Sequence, residues 1–159
     1  MTDRTPALPR ILTYAGILPF LFLAAAHLYI VREGLFALAD IVPRALLLYA
    51  VTIFSFLNGI RWGIAAVSSP IRTADFAASI IAFFAGWGAF LGAYIFTLES
   101  RGGWFFISFA LLFLLHYLWD RMATNAGHFP NWFLRQRLVA TLGAAGSLAT
   151  SGIIILAVT

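Results

Sequence analysis

The chain has 159 residues, 62% of them hydrophobic and only 10% charged, and its ten basic residues outnumber six acidic ones for a net charge of +4. A soluble domain carries about 25% charged residues, so a water-soluble fold is excluded. Cysteine is absent, which removes disulfides, thiolate nucleophiles, iron–sulfur clusters and cysteine zinc sites; the basic residues, all Arg, form no run that would hold a nucleic-acid backbone.

Five long apolar runs follow in chain order. A hydrocarbon core about 30 Å thick takes about 20 residues of helix at 1.5 Å rise each, and every run meets that length. The first, 11–31, opens after Pro9 and contains Pro19, tolerated in a membrane helix where neighbours or water satisfy the freed carbonyl. Its apolarity continues past Ala24-Ala25-Ala26, longer than the core of a cleaved signal peptide, so it reads as a span. Arg32-Glu33-Gly34 ends it, and a connection with Asp40 and Pro43 leads to the second run, 44–67. Ser68-Ser69-Pro70 breaks that helix and Asp75 introduces the third, 76–98. Glu99–Gly103, with Arg101 and paired glycines, reads as a tight turn. Trp104 stands at an interfacial position at the head of the fourth run, 104–123. A polar connection, Asn125–Trp132, follows, and Arg135 and Arg137 precede the fifth run, 138–158. The expected fold is all-α: one transmembrane domain over residues 1–159, a bundle of five helices.

Arginine distribution sets the expected orientation. Arg4, Arg10, Arg61, Arg72, Arg121, Arg135 and Arg137 fall on one side, and Arg32, Arg44 and Arg101 on the other. The positive-inside rule places the N-terminus in the cytoplasm and the C-terminus outside. Exclusive use of Arg, with abundant Ala and Gly, fits a GC-rich bacterial coding sequence. The expected location is therefore a bacterial inner membrane, ahead of a mitochondrial one.

Helices associate in lipid by close packing, so small residues mark interfaces. Span three offers Ala85, Ala89 and Ala93 beside Gly88 and Gly92; span five offers Gly143, Ser147 and Ser151; span two offers Gly59 and Gly63. These read as seams within the bundle, with a homo-oligomer seam as the alternative use. No internal repeat is visible, which argues against an inverted-repeat transporter.

Ionisable residues inside a membrane mark function by default. Arg61 in span two and His116, Asp120 and Arg121 in span four all fall near the same ends of their helices. Asp75, Arg135 and Arg137 lie at that level too, so a charged layer follows from topology alone. Within it Arg61 is expected to pair with Asp75, Asp120 or a lipid phosphate, since a desolvated guanidinium prefers an anionic oxygen. His116 and Asp120, four apart, share a helical face. The layer reads either as charge neutralisation that fixes helix register, or as a ligand site in which Arg61 receives an anionic or carbonyl group beside Trp62. A proton-handling pair of His116 and Asp120 is a third reading.

No cofactor or metal is expected. His27 lies about 25 Å along span one, whereas His116 lies about 8 Å from the inner end of span four; one haem iron cannot join them, and His128 is in a connection. His27, beside Tyr29 and Arg32, reads as an interfacial polar residue. No G-x-S-x-G, H-E-x-x-H or phosphate-cradling glycine loop is present, so no catalytic residue is assigned.

Two segments, Tyr14-Ala15-Gly16-Ile17-Leu18-Pro19-Phe20 and Ser55-Phe56-Leu57-Asn58-Gly59-Ile60-Arg61-Trp62-Gly63, carry a resemblance, extended by Asp120-Arg121 and by Pro130–Arg137 with its Trp132, Arg135 and Arg137. The chain resembles the transmembrane-protein-69-like proteins, small bacterial and mitochondrial multi-span proteins grouped as a domain of unknown function. The resemblance implies a five-span bundle and picks out Tyr14, Gly59, Gly63, Arg61, Trp62, Asp120, Trp132, Arg135 and Arg137. It supplies no activity.

The leading expectation is a non-enzymatic protein of the inner membrane, an accessory or assembly factor that packs laterally in a larger membrane complex. The rival is a binder or carrier of a lipid, quinone or small anion, with a pocket around Arg61, Trp62 and Asp120 between spans two and four. Because the chain lacks cysteine, its topology is open to a direct check. Single cysteines placed at Ser69 and at Glu99 are expected to react with an impermeant maleimide only from the cytoplasmic side and only from the outer side, respectively.

Overall fold

A computed structural model describes residues 6–35, 38–97 and 99–159. Arg4, counted above for orientation, and Leu98, the last residue of the expected third span, lie outside the described residues. The elements are α1 (Ala7–Arg32), α2 (Ile41–Val67), α3 (Thr73–Ile95), α4 (Ser100–Asn125) and α5 (Asn131–Val158). All five helices are long and apolar enough to cross a membrane, with mean hydropathies from 1.6 to 1.9. At 1.5 Å per residue they run about 35–42 Å, so their ends overhang a 30 Å hydrocarbon core by about 5 Å. Helix is the form that lets a single segment satisfy its own backbone groups in lipid.

Neighbours in sequence pack as neighbours in space: α1 on α2, α2 on α3, α3 on α4, α4 on α5. Contacts between α1 and α5 close the ring. Its interior is filled by phenyl rings. Phe54 of α2 meets Phe109 and Phe113 of α4 edge-on at centroid distances of 5.7 and 5.1 Å, and Phe20 of α1 meets Phe113 at 6.0 Å. Edge-to-face geometry places the positive rim of one ring against the negative face of the next. Leu46, Leu47, Ala50 and Leu148 complete this core, all fully buried. The outward faces are as apolar as the interior, with Phe22, Val67, Ile81 and Met122 largely exposed, as a lipid solvent requires.

Two helix ends are closed by the same device. After α1, Gly34 at φ 68° lets its N–H reach the Val31 carbonyl while the Leu35 N–H reaches Ile30. After α4, Gly127 at φ 82° does so for Thr124, and the His128 N–H bonds Ala123. Both are Schellman closures, which need the left-handed conformation that glycine adopts without penalty.

Several expected boundaries move. α4 begins at Ser100, so the glycines read as a turn lie within the helix. They are there for close approach: a Cβ on Gly102 would fall 2.1 Å from the Phe96 carbonyl oxygen, and one on Gly103 2.8 Å from that of Gly152. α5 begins at Asn131 directly after Pro130. The segment from Trp132 to Arg137 is thus helical and carries its polar groups into the membrane-spanning element, where the expected span began only at 138.

The small-residue seams are partly relocated. In α3 the inward face carries Gly86, Ala89, Phe90 and Ala93, while Ala85 and Gly88 face outward. Ser147 and Ser151 are buried in α5 as expected. Gly59 and Gly63 are not an internal seam: both are exposed, and an added Cβ would meet nothing within 4 Å. His27, expected at the interface, is buried with 2% exposure.

Gly86 is held small by Phe54, whose Cδ1 would lie 2.5 Å from an added Cβ. Gly86→Val is therefore expected to displace the central ring, and Phe54→Ala to cost about 3–5 kcal/mol through the cavity it leaves. Gly59→Ala is expected to be tolerated. Reversible unfolding in detergent micelles measures all three.

Candidate functional site

The up-and-down order brings the end of α2, the start of α3, the end of α4 and the start of α5 to the face at which α1 begins. Arg61, Asp120 and Arg137 sit about 8–9 Å in from their helix ends by the helical rise, a few ångströms below the hydrocarbon boundary. All three are buried, at 3%, 2% and 5% exposure.

Asp120 is the hub. Its Oδ2 accepts a hydrogen bond from Arg137 Nε at 2.7 Å, and His116 Nδ1 lies 3.4 Å from the same oxygen. Arg137 Nη2 is 3.4 Å from His116 Nδ1. On the other side Arg61 Nη1 is 3.8 Å from Asp120 Oδ1, while its Nη2 donates to Asp75 Oδ1 at 3.4 Å. Asp75 is held more tightly by Arg72, one turn before it, and its place in the first turn of α3 suits the positive end of the helix dipole. Both carboxylates near Arg61 are thus engaged more closely by another guanidinium. Its compensation comes from rings: the guanidinium carbon lies 3.9 Å over the centroid of Trp119 and 5.6 Å from that of Phe129, a cation–π arrangement that strengthens on desolvation.

The layer therefore unites Arg61, Asp75, His116, Asp120 and Arg137. Three guanidiniums, counting Arg72, share two carboxylates, so the cluster carries surplus positive charge. Arg61 Nε and His116 Nε2 have no partner among the described residues. No group of three or more His, Asp or Glu among the described residues is placed to share a metal ion.

The other residues picked out by sequence lie elsewhere. Trp62 points away from Arg61, half-exposed, with its ring edge-on to Phe76 at 4.6 Å. Tyr14 and Arg135 are exposed. The expected pocket between α2 and α4 is displaced as well. That seam is filled by the contacts of Phe54 with Phe113 and His116 and of Arg61 with Trp119, because aromatic side chains at those positions meet across the ring's centre.

Two cavities flank α2 instead. The larger, about 400 Å³, lies between α1, α2 and α5, walled by residues such as Ile17, Phe20, Ile53, Leu57 and Ala140, with Trp132, Gln136 and Arg137 lining it near the start of α5. The smaller, about 230 Å³, lies between α2 and α3 against Ser55, Asn58, Gly59, Trp62, Ser79, Ile80 and Phe83. Gln136 Oε1 and Asn58 Oδ1 are buried without a partner among the described residues. Charge and the resemblance both single out Arg61 and Asp120 but not Gln136, Asn58 or Trp119, although a neutral amide inside a span is itself a signal, since lipid offers it no hydrogen bond.

Over residues 5–153 the chain matches the family described as a protein of unknown function (DUF3429), and it belongs to that family. No curated protein and no solved structure matches it.

Removing the shared anion is expected to be the most damaging single change in the layer. Asp120→Asn leaves two buried guanidiniums without their common carboxylate, a loss of about 3–5 kcal/mol. Asp75→Asn, at a partly exposed position with Arg72 free to turn outward, should cost less. Unfolding of the two variants in the same detergent gives the order.

Proposed function

We propose that this member of a family of unknown function is a non-enzymatic membrane protein that binds an amphiphilic small molecule between α1, α2 and α5, with its head at Gln136 and Arg137. One observation carries the reading: an apolar cavity of about 400 Å³ ends at the buried guanidinium of Arg137, beside the side-chain amide of Gln136. Small-molecule sites have volumes of roughly 300–1,000 Å³ and combine apolar walls with a few convergent polar groups. An acyl or isoprenoid chain fits the walls, and a phosphate, carboxylate or quinone carbonyl fits the donors of Arg137 and Gln136. Anionic lipids and quinones are the two classes that combine both parts.

The accessory role in a larger membrane complex is the second reading, and a different observation favours it. Gly59 and Gly63 present a bare strip of α2 to the outside, with Trp62 half-exposed beside it; small residues at four-residue spacing let another transmembrane helix approach closely. On either reading we place the protein in a bacterial inner membrane with the charged layer toward the cytoplasm, as the Arg distribution favours. The finer kinship with the transmembrane-protein-69-like proteins belongs to the same proposal.

Gentle extraction followed by mass spectrometry of every co-purifying lipid, chromophore and protein tests both. The wild-type protein is expected to carry one enriched amphiphile. Ala140→Trp, which fills the cavity from a partly exposed position, is expected to lower that enrichment about tenfold, the equivalent of 1.4 kcal/mol. A stoichiometric protein partner, with no enriched amphiphile in either sample, would replace this reading with the accessory one.

A further inference from the structure

The smaller cavity lies on the opposite side of α2 from the proposed amphiphile site, and its chemistry is different. No charged residue lines it. Its floor is Asn58, 3% exposed, whose Nδ2 donates to the Phe54 carbonyl of its own helix at 2.9 Å. That bond orients the amide and leaves Oδ1 as an acceptor without a partner. Ser79, 2% exposed, faces Asn58 from α3; its hydroxyl hydrogen goes to the Phe76 carbonyl at 2.8 Å, so its oxygen too is left to accept. The two buried polar groups of the floor are thus left as acceptors and call for a donor, while the Ser55 hydroxyl and the Trp62 indole, which also line the cavity, belong to less buried residues. Above it the walls are apolar, and Gly59 leaves open space where any side chain would project.

Depth limits what can supply the donor. Asn58 is about 13 Å from the end of α2 by the helical rise, several ångströms inside the hydrocarbon boundary. An unpaired buried amide oxygen there costs free energy that water cannot readily offset. The volume, about 230 Å³, is well above the 30 Å³ or so that one water occupies in the liquid, and the walls suit carbon.

We propose that this groove is a second binding site, one that takes the hydroxyl end of a membrane-soluble alcohol. The hydroxyl donates to Asn58 Oδ1, and the adjoining carbons lie along Gly59, Ile80 and Phe83. A neutral donor fits because no side chain lining the cavity is charged. The amphiphile held by Arg137 is of the opposite kind, an acceptor or anion, so the two sites select different molecules.

Photolabelling in lipid nanodiscs with a diazirine-bearing long-chain alcohol tests the assignment, with adducts mapped by mass spectrometry. Labelling is expected on the 55–62 and 79–83 segments, displaced by unlabelled decanol and not by decyl methyl ether, which lacks the donor. Asn58→Leu loses no hydrogen bond to another helix and is expected to fold; it should lower labelling there about five- to tenfold, the loss of one buried hydrogen bond. Gly59→Leu, placed where a Cβ meets nothing, should do the same by filling the space while leaving Asn58 intact. Equal displacement by the ether, or labelling unchanged in both variants, would overturn the proposal. Absence of label from these segments in the wild type would assign the groove to water or acyl chain and also overturn it. Labelling at Trp132–Ala144 reports on the other cavity, so the two sites stand or fall separately.

Discussion

Two buried guanidiniums and an imidazole converge on the carboxylate of Asp120, and the architecture of the N-terminal face follows from that shared anion. A carboxylate moved from water into a low-dielectric interior is costly unless its oxygens are matched by donors held in place. Here Arg137 supplies a short bond from α5, His116 a contact from the preceding turn of α4, and Arg61 a longer one from α2. Three helices are thereby fixed in register at one depth. Arg61 extends the tie to α3 through Asp75. The long distances at Arg61, with Trp119 beneath it, show a cation stabilised as much by an aromatic face as by its ion pairs.

The segment Phe54–Gly63 serves three surfaces because successive residues of a helix turn by about 100°. Phe54 and Arg61 point to the interior. Phe56, Leu57 and Ile60 wall the larger cavity, and Ser55, Asn58, Gly59 and Trp62 line the smaller one. The residues of this block therefore do not form one site, and adjacent positions such as Arg61 and Trp62 act on different faces of the helix. Asp120 and Gln136 likewise belong to different places, the ion cluster and the cavity, and Arg137 belongs to both.

The number of apolar helices, the all-helical class and the common level of the charged residues were legible in sequence, because run length, hydropathy and position along a helix are local properties. The start of α5 was not. Gln136 and two arginines lower the local hydropathy of 131–137, so the span seemed to open at 138, whereas Pro130 starts the helix and Asp120 meets the charge of Arg137. The glycines of 102–103 misled in the opposite way. Their composition signals a turn, and only the crossing against Phe96 and Gly152 shows that backbone approach is what keeps them small.

By itself, then, the sequence determined that five helices cross a membrane and that Arg61, Asp75, His116, Asp120 and Arg137 share a level, since both follow from residue order and a constant rise per residue. Which of them touch, and where space is left, only the tertiary structure decided. Contact depends on the rotation of each helix about its axis, and that rotation is set by packing around Phe54, Phe109 and Phe113. In lipid every face is apolar, so hydropathy carries little information about which side turns inward. For that reason the expected pocket between α2 and α4 is a filled aromatic seam, and the two cavities open on the flanks of α2.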